Sequence, residues 1–153
     1  MIHHISIAAK NPLEVANVLA EIWNGKVFPF PAVAGGYLMV AFDAHGTAIE
    51  IFPQGTMLVP ADGQPEMGHD ANSPTYAPFH AAISVPADTA QIEQVAQRAG
   101  WRVQVCTRPL FKVVEVWIEN RQLLELLPPD FVPAYLDLFT KPKSFEAVIA
   151  ARL

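Results

Sequence analysis

The apolar positions of this chain follow one order of patterns, and they follow it twice. Residues 2–9, IHHISIAA, alternate apolar with small or polar side chains and predict a strand, because successive side chains of a strand face opposite sides. Asn11, Pro12 and Glu14 then form a helix start: Asn11 can cap, Pro12 suits the first helical position and Glu14 can close a capping box. Val15, Val18, Leu19, Ile22 and Trp23 recur at helical spacing, and Gly25 ends the run. KVFPFP, GGYLMVAFD and GTAIEIFP follow as three strand-like runs, the last two joined at DAHG.

The second half repeats the order. FHAAISV reads as a strand, Asp88 with Gln91 three positions on gives a second capping signal, and Ile92, Val95, Ala96 and Ala99 carry a helical period that Gly100 stops. WRVQVCT, FKVVEVWIE and QLLELLPP supply three more strands, the last two joined around Asn120 and Arg121. The spacings agree as well: His4 stands 46 positions before Glu50, and His80 stands 45 before Glu125. Two copies of one β-α-β-β-β unit is the economical reading. The expected fold is therefore α+β, with a first module at 1–54, a Pro/Gly-rich linker or functional loop at 55–77, and a second module at 78–128. A helical tail at 129–153 completes one structural domain, with helices over 131–139 and from about Ser144.

Duplication gives four polar positions a common meaning. His4 shares a strand face with Ser6 and Ala8, and His80 shares one with Ala82 and Ser84, so small side chains leave space beside each imidazole. Glu50 lies between Ile49 and Ile51, and Glu125 between Leu124 and Leu126, so each carboxylate opposes an apolar face. A carboxylate in such a strand is costly to bury unless it is paired or bound to a metal. If His4 shares the polar side of its sheet, His3 faces the other, although the doubled histidine leaves the reverse assignment open. The sequence also leaves open whether Glu115 or Val116 faces the cleft. Likewise, Trp117, Met39 and Tyr37 either line a pocket or pack in the core, and Arg108 either binds an anion or lies on the surface.

HISIAAK, FDAHGTAIE, HAAISV and LLELL together resemble the strands of the vicinal oxygen chelate superfamily, which includes glyoxalases, bleomycin-resistance proteins and extradiol dioxygenases. The resemblance covers roughly residues 2 to 128. It implies two modules whose sheets curl around a shared cleft, with a divalent metal held by His4, Glu50, His80 and Glu125. That set is similar to the ligands of metal-dependent bacterial glyoxalases. Two imidazoles and two carboxylates suit Ni, Co, Mn, Fe(II) or Zn. The resemblance further implies a Lewis-acid metal stabilising an enediolate-like oxyanion, with Glu50 or Glu125 as the general base. The expected activity is that of a lyase, isomerase or dioxygenase on a small oxygen-rich substrate; the alternative is a non-catalytic protein that sequesters a ligand. The first helix, VANVLAEIWNG, lacks the family's Phe-Tyr pair, and only Gln54 matches its glutathione-binding groups, which leaves the substrate open.

Composition narrows the partners. A net charge of −5 without a Lys/Arg cluster argues against nucleic acid. No run approaches the ~18 apolar residues of a membrane span, and no basic-then-apolar leader opens the chain, so the expected location is cytoplasmic. With 52% hydrophobic and 16% charged residues, the chain is expected to hide apolar surface in a homodimer. Cys106 is the only cysteine, which excludes an internal disulfide and a multi-thiolate zinc site.

Overall fold

Both repeats form the expected unit in the computed structural model, which describes residues 2–60, 62, 65–76, 79–108 and 110–141. The first contains β1 (His4–Ala9), α1 (Pro12–Trp23), β2 (Lys26–Pro29), β3 (Tyr37–Val40) and β4 (Ala48–Pro53). After a hairpin of β5 (Thr56–Val59) and β6 (Glu66–His69), the second contains β7 (Ala81–Ser84), α2 (Thr89–Arg98), β8 (Arg102–Thr107), β9 (Lys112–Ile118) and β10 (Gln122–Leu127). A final helix, α3 (Val132–Phe139), follows. The two sheets run in the matching orders β1-β4-β3-β2 and β7-β10-β9-β8. In each, the opening strand lies parallel to the closing one and the other pairs are antiparallel. A parallel pair needs a long crossover, and the module's helix supplies part of it.

Strand alternation decides which face is buried. Ile49 and Ile51 of β4, and Leu124 and Leu126 of β10, are fully buried with Ile7, Met39, Val114 and Val116. The helices contribute Val15, Leu19 and Ile22 from α1 and Ile92, Val95 and Ala96 from α2 to the same continuous core. Each sheet thus turns one face to its helix. The other face carries Glu50, Glu115 and Glu125 among apolar side chains such as Phe52, Val113 and Leu127.

Helix ends follow the pattern only in part. Asp88 caps α2 as expected, its Oδ1 accepting the Gln91 N–H at 2.8 Å. Asn11 makes no such side-chain cap on α1. The capping-box bond expected of Glu14 is made instead by Glu119 in the β9–β10 turn, whose carboxylate accepts the Lys10 and Asn11 N–H groups at 2.6 and 2.7 Å. An anion there also meets the positive end of the helix dipole. The C-terminal end of α1 closes on Asn24 in the left-handed conformation (φ 51°) rather than on Gly25, whereas Gly100 (φ 71°) follows α2 as expected. Asp88→Ala is expected to cost about 1 kcal/mol in urea denaturation, and Asn11→Ala no more than ~0.5 kcal/mol.

The two modules are joined at several polar points. Besides Glu119, Arg121 donates to Gln54 and to the Pro74 carbonyl, and Arg98 of α2 pairs with Glu21 of α1. The 55–77 segment is more than a loop, since it carries the β5–β6 hairpin. Gly55 (φ 89°) admits the turn into it, because a Cβ there would stand 2.7 Å from His69 Nε2. Its Met57, Leu58, Val59 and Met67 are all exposed. α3 docks through an aromatic cluster of Phe111, Tyr135 and Phe139. The second tail helix expected near Ser144 lies outside the described residues.

Candidate functional site

The helix-free face of each sheet carries a glutamate, Glu50 or Glu125, at mirrored positions of the closing strand. In the first module, register places Ser6 of β1 beside Glu50 of β4, with His4 two residues before Ser6 on the same face. Ser6 Oγ–H donates to Glu50 Oε2 at 2.6 Å. Glu50 is half-buried and His4 exposed, so an acceptor oxygen and an imidazole share an open strand surface. His3 precedes the strand and turns elsewhere, its Nδ1 bonding the His45 carbonyl at 2.6 Å. His4, not His3, shares the strand face of Ser6 and Glu50.

In the second module, Glu125 of β10 is in register with Ala82 of β7 on one side and Glu115 of β9 on the other. Glu115, not Val116, therefore shares the face of Glu125, and Val116 is fully buried in the core. His80 is exposed and directly precedes β7, two residues from Ala82. Gln104 of β8 continues the row beside Glu115. Arg108, just beyond β8, ties the row together: its Nη2 donates to Glu115 Oε1 at 2.7 Å and to Glu125 Oε1 at 2.6 Å. Gln104 Nε2–H donates to the other Glu115 oxygen at 2.8 Å.

This network sets the local electrostatics. Burial pushes the Glu115 carboxyl up, but donors outweigh it and hold the group below its ordinary value. They are Gln104, Arg108, Cys106 and the buried Trp117 Nε1–H, whose geometry falls short of a regular hydrogen bond. Hydrogen bonds to Glu125 and Glu115 raise the Arg108 guanidinium further, so it is a permanent cation. Burial first, and Glu115 second, push the Cys106 thiol up, so it stays protonated and a poor nucleophile.

The four expected ligands do not meet within one chain. Among the described residues, no group of three or more His, Cys, Asp and Glu side chains is placed to hold a metal ion. Two surface depressions border α1, lined by residues such as Lys10, Glu14, Asn17 and Tyr37, and neither includes any of the four. Met39 is core and Tyr37 lies on the helix side, whereas Trp117 is on the cleft face. Arg108 is neither a free surface residue nor a free anion binder. The ion pairs of Glu115 are absent from the first module, where Leu38 and Phe28 occupy the positions matching Glu115 and Gln104. A hairpin centred near Asn120 already implies that Glu115 opposes Glu125. The reach of Arg108 from beyond its strand has no such signal.

No family model matches the chain, and no curated protein does. Solved structures do. A fosfomycin resistance protein, FosX, from Listeria monocytogenes, complexed with Mn(II) and a sulfate ion, superposes with a TM-score of 0.58 at 12% identity. The match covers 91% of this chain and 97% of that one. A glyoxylase/bleomycin resistance protein/dioxygenase domain from Frankia sp. EAN1pec matches at 0.52 and 15% identity, covering 84% and 96% of the two chains. A putative glyoxalase family protein from Bacillus anthracis matches at 0.52 and 18% identity, covering 82% and 92%.

Proposed function

We propose, from the vicinal oxygen chelate fold that this chain shares with those proteins, that two copies form a homodimer with divalent-metal sites between them. The site would act on a small oxygen-rich substrate in a lyase, isomerase or dioxygenase reaction. One observation carries the reading. His4 and Glu50 share an exposed strand face, their counterparts His80 and Glu125 belong to the other module, and no three such groups gather within the described chain. On this reading a second copy would complete the donor set. The exposed apolar side chains Phe28 and Phe42 beside the first face, and those of the β5–β6 hairpin, are surface that association would cover.

The donor chemistry of the four residues suits a divalent transition ion. His4 and Glu50 of one copy would hold it with His80 and Glu125 of the other, and the bound ion would supply Lewis acidity toward substrate oxygens. The remaining chemistry belongs to the chain. Ser6 fixes one oxygen of Glu50; the other would hold the ion and, on loosening from it, would take a proton from a substrate carbon or water. The exposed Ala8, Ala82 and Ser84 leave room for a substrate against the sheets. Mn(II), present in the Listeria relative, is the first ion to supply.

Protein isolated without chelator is expected to carry or take up about one Mn(II) equivalent per chain, read by free-ion paramagnetic resonance. Glu50→Ala and His4→Ala should each weaken that binding at least tenfold, a scale that even the hydrogen-bonding neighbours of metal ligands carry. A chain that takes up no metal yet binds a small ligand would instead support sequestration.

A further inference from the structure

We infer that Arg108 is a built-in cation that competes with a divalent ion for Glu125. The inference rests on the metal reading above and concerns what controls occupancy of the second module's half of the site. Glu115 and Glu125 are direct cross-strand partners, a placement in which two like charges repel unless a cation lies between them. One guanidinium nitrogen, Arg108 Nη2, lies within 2.7 Å of an oxygen from each. Both glutamates are largely buried while Arg108 is 37% exposed, so the pairing is only partly screened by solvent.

The arrangement is specific to this half. In the first module the position matching Glu115 holds Leu38, and among the described residues Glu50 is hydrogen-bonded by the neutral hydroxyl of Ser6. Glu50 is thus open to an external cation, whereas Glu125 already has one. A divalent ion taking Glu125 must either displace Arg108 from Oε1 or bind Oε2 against the charge of the adjacent guanidinium, and Arg108 can yield Oε1 without losing all its charge pairing because Glu115 still holds it. Arg108 is a positioning residue on this account: it sets how tightly the second half-site takes metal.

Mn(II) titration of the full-length chain tests this with four proteins: the wild type, Arg108→Met, Arg108→Met/Glu115→Gln and Arg108→Met/Glu125→Gln. The second variant removes the cation and one carboxylate together, so Glu125 is freed without two unpaired charges straining the fold. Arg108→Met and Arg108→Met/Glu115→Gln are expected to bind Mn(II) at least about tenfold more tightly than the wild type, because a competing charge has gone. The variant lacking Glu125 should lose the gain. Equal or weaker binding in Arg108→Met/Glu115→Gln overturns the inference while leaving the metal reading intact, as does a gain that survives Glu125→Gln. Binding by none of the four overturns both.

Discussion

Replacing Leu126 by alanine is expected to destabilise the folded chain by about 2–5 kcal/mol. Leu126 is fully buried in β10, a strand paired on both sides, with Ile83 of β7 and Val114 of β9 as its neighbours. It belongs to the same continuous core as Ile92 and Val95 of α2. Ladder hydrogen bonds on both flanks hold the backbone in place, and the adjacent β-branched side chains have few alternative rotamers, so little can move into the space. The cost should approach the upper part of that range. Leu58 of the β5–β6 hairpin offers the contrast: it is 54% exposed, and Leu58→Ala should change stability by no more than about 0.5 kcal/mol. Urea denaturation checks both, the midpoint falling for Leu126→Ala with the slope unchanged. A loss below about 1 kcal/mol at Leu126 would mean that the second sheet does not pack on α2 as described.

Much of this fold was legible because burial and strand period are the same information. Ile49, Ile51, Leu124 and Leu126 could face only a core, and Glu50 and Glu125 between them could face only the other side. Asp88 declared the start of α2 through a contact three residues away. What stayed hidden was non-local. Asn11 looked like a cap, but the carboxylate that serves α1 comes from Glu119, more than a hundred positions along the chain. The hairpin TMLV and EMGH lacked alternating polarity, since most of its side chains are exposed on both faces, and it read as linker. Arg108 was equally opaque, because a long side chain beyond a strand end follows the charges within its reach and not the pleat. The candidate site was legible as positions and not as a place. Which strand face holds His4 or Glu125 follows from alternation, whereas how two modules stand relative to each other is set by Glu119, Arg121 and the helix contacts.

Two variants that each lack one half of the proposed ligand set are expected to repair one another when mixed. His4→Ala/Glu50→Ala removes the first-module half, and His80→Ala/Glu125→Ala removes the second. Either alone leaves every shared site with two of four ligands and should bind Mn(II) at least about a hundredfold more weakly than the wild type, compounding the loss from each ligand. In a mixed dimer the losses segregate: one site combines both damaged halves, and the other combines both intact ones. Random exchange of subunits makes half of the dimers mixed, so tight Mn(II) binding should return to about a quarter of the wild-type capacity. The deciding measurement is therefore the number of tight Mn(II) sites in the exchanged mixture, with exchange verified by a mass tag on one variant. Recovery to about a quarter is the predicted result. A mixture that exchanges subunits fully yet binds no more Mn(II) than the two variants kept apart would contradict a site built across two copies.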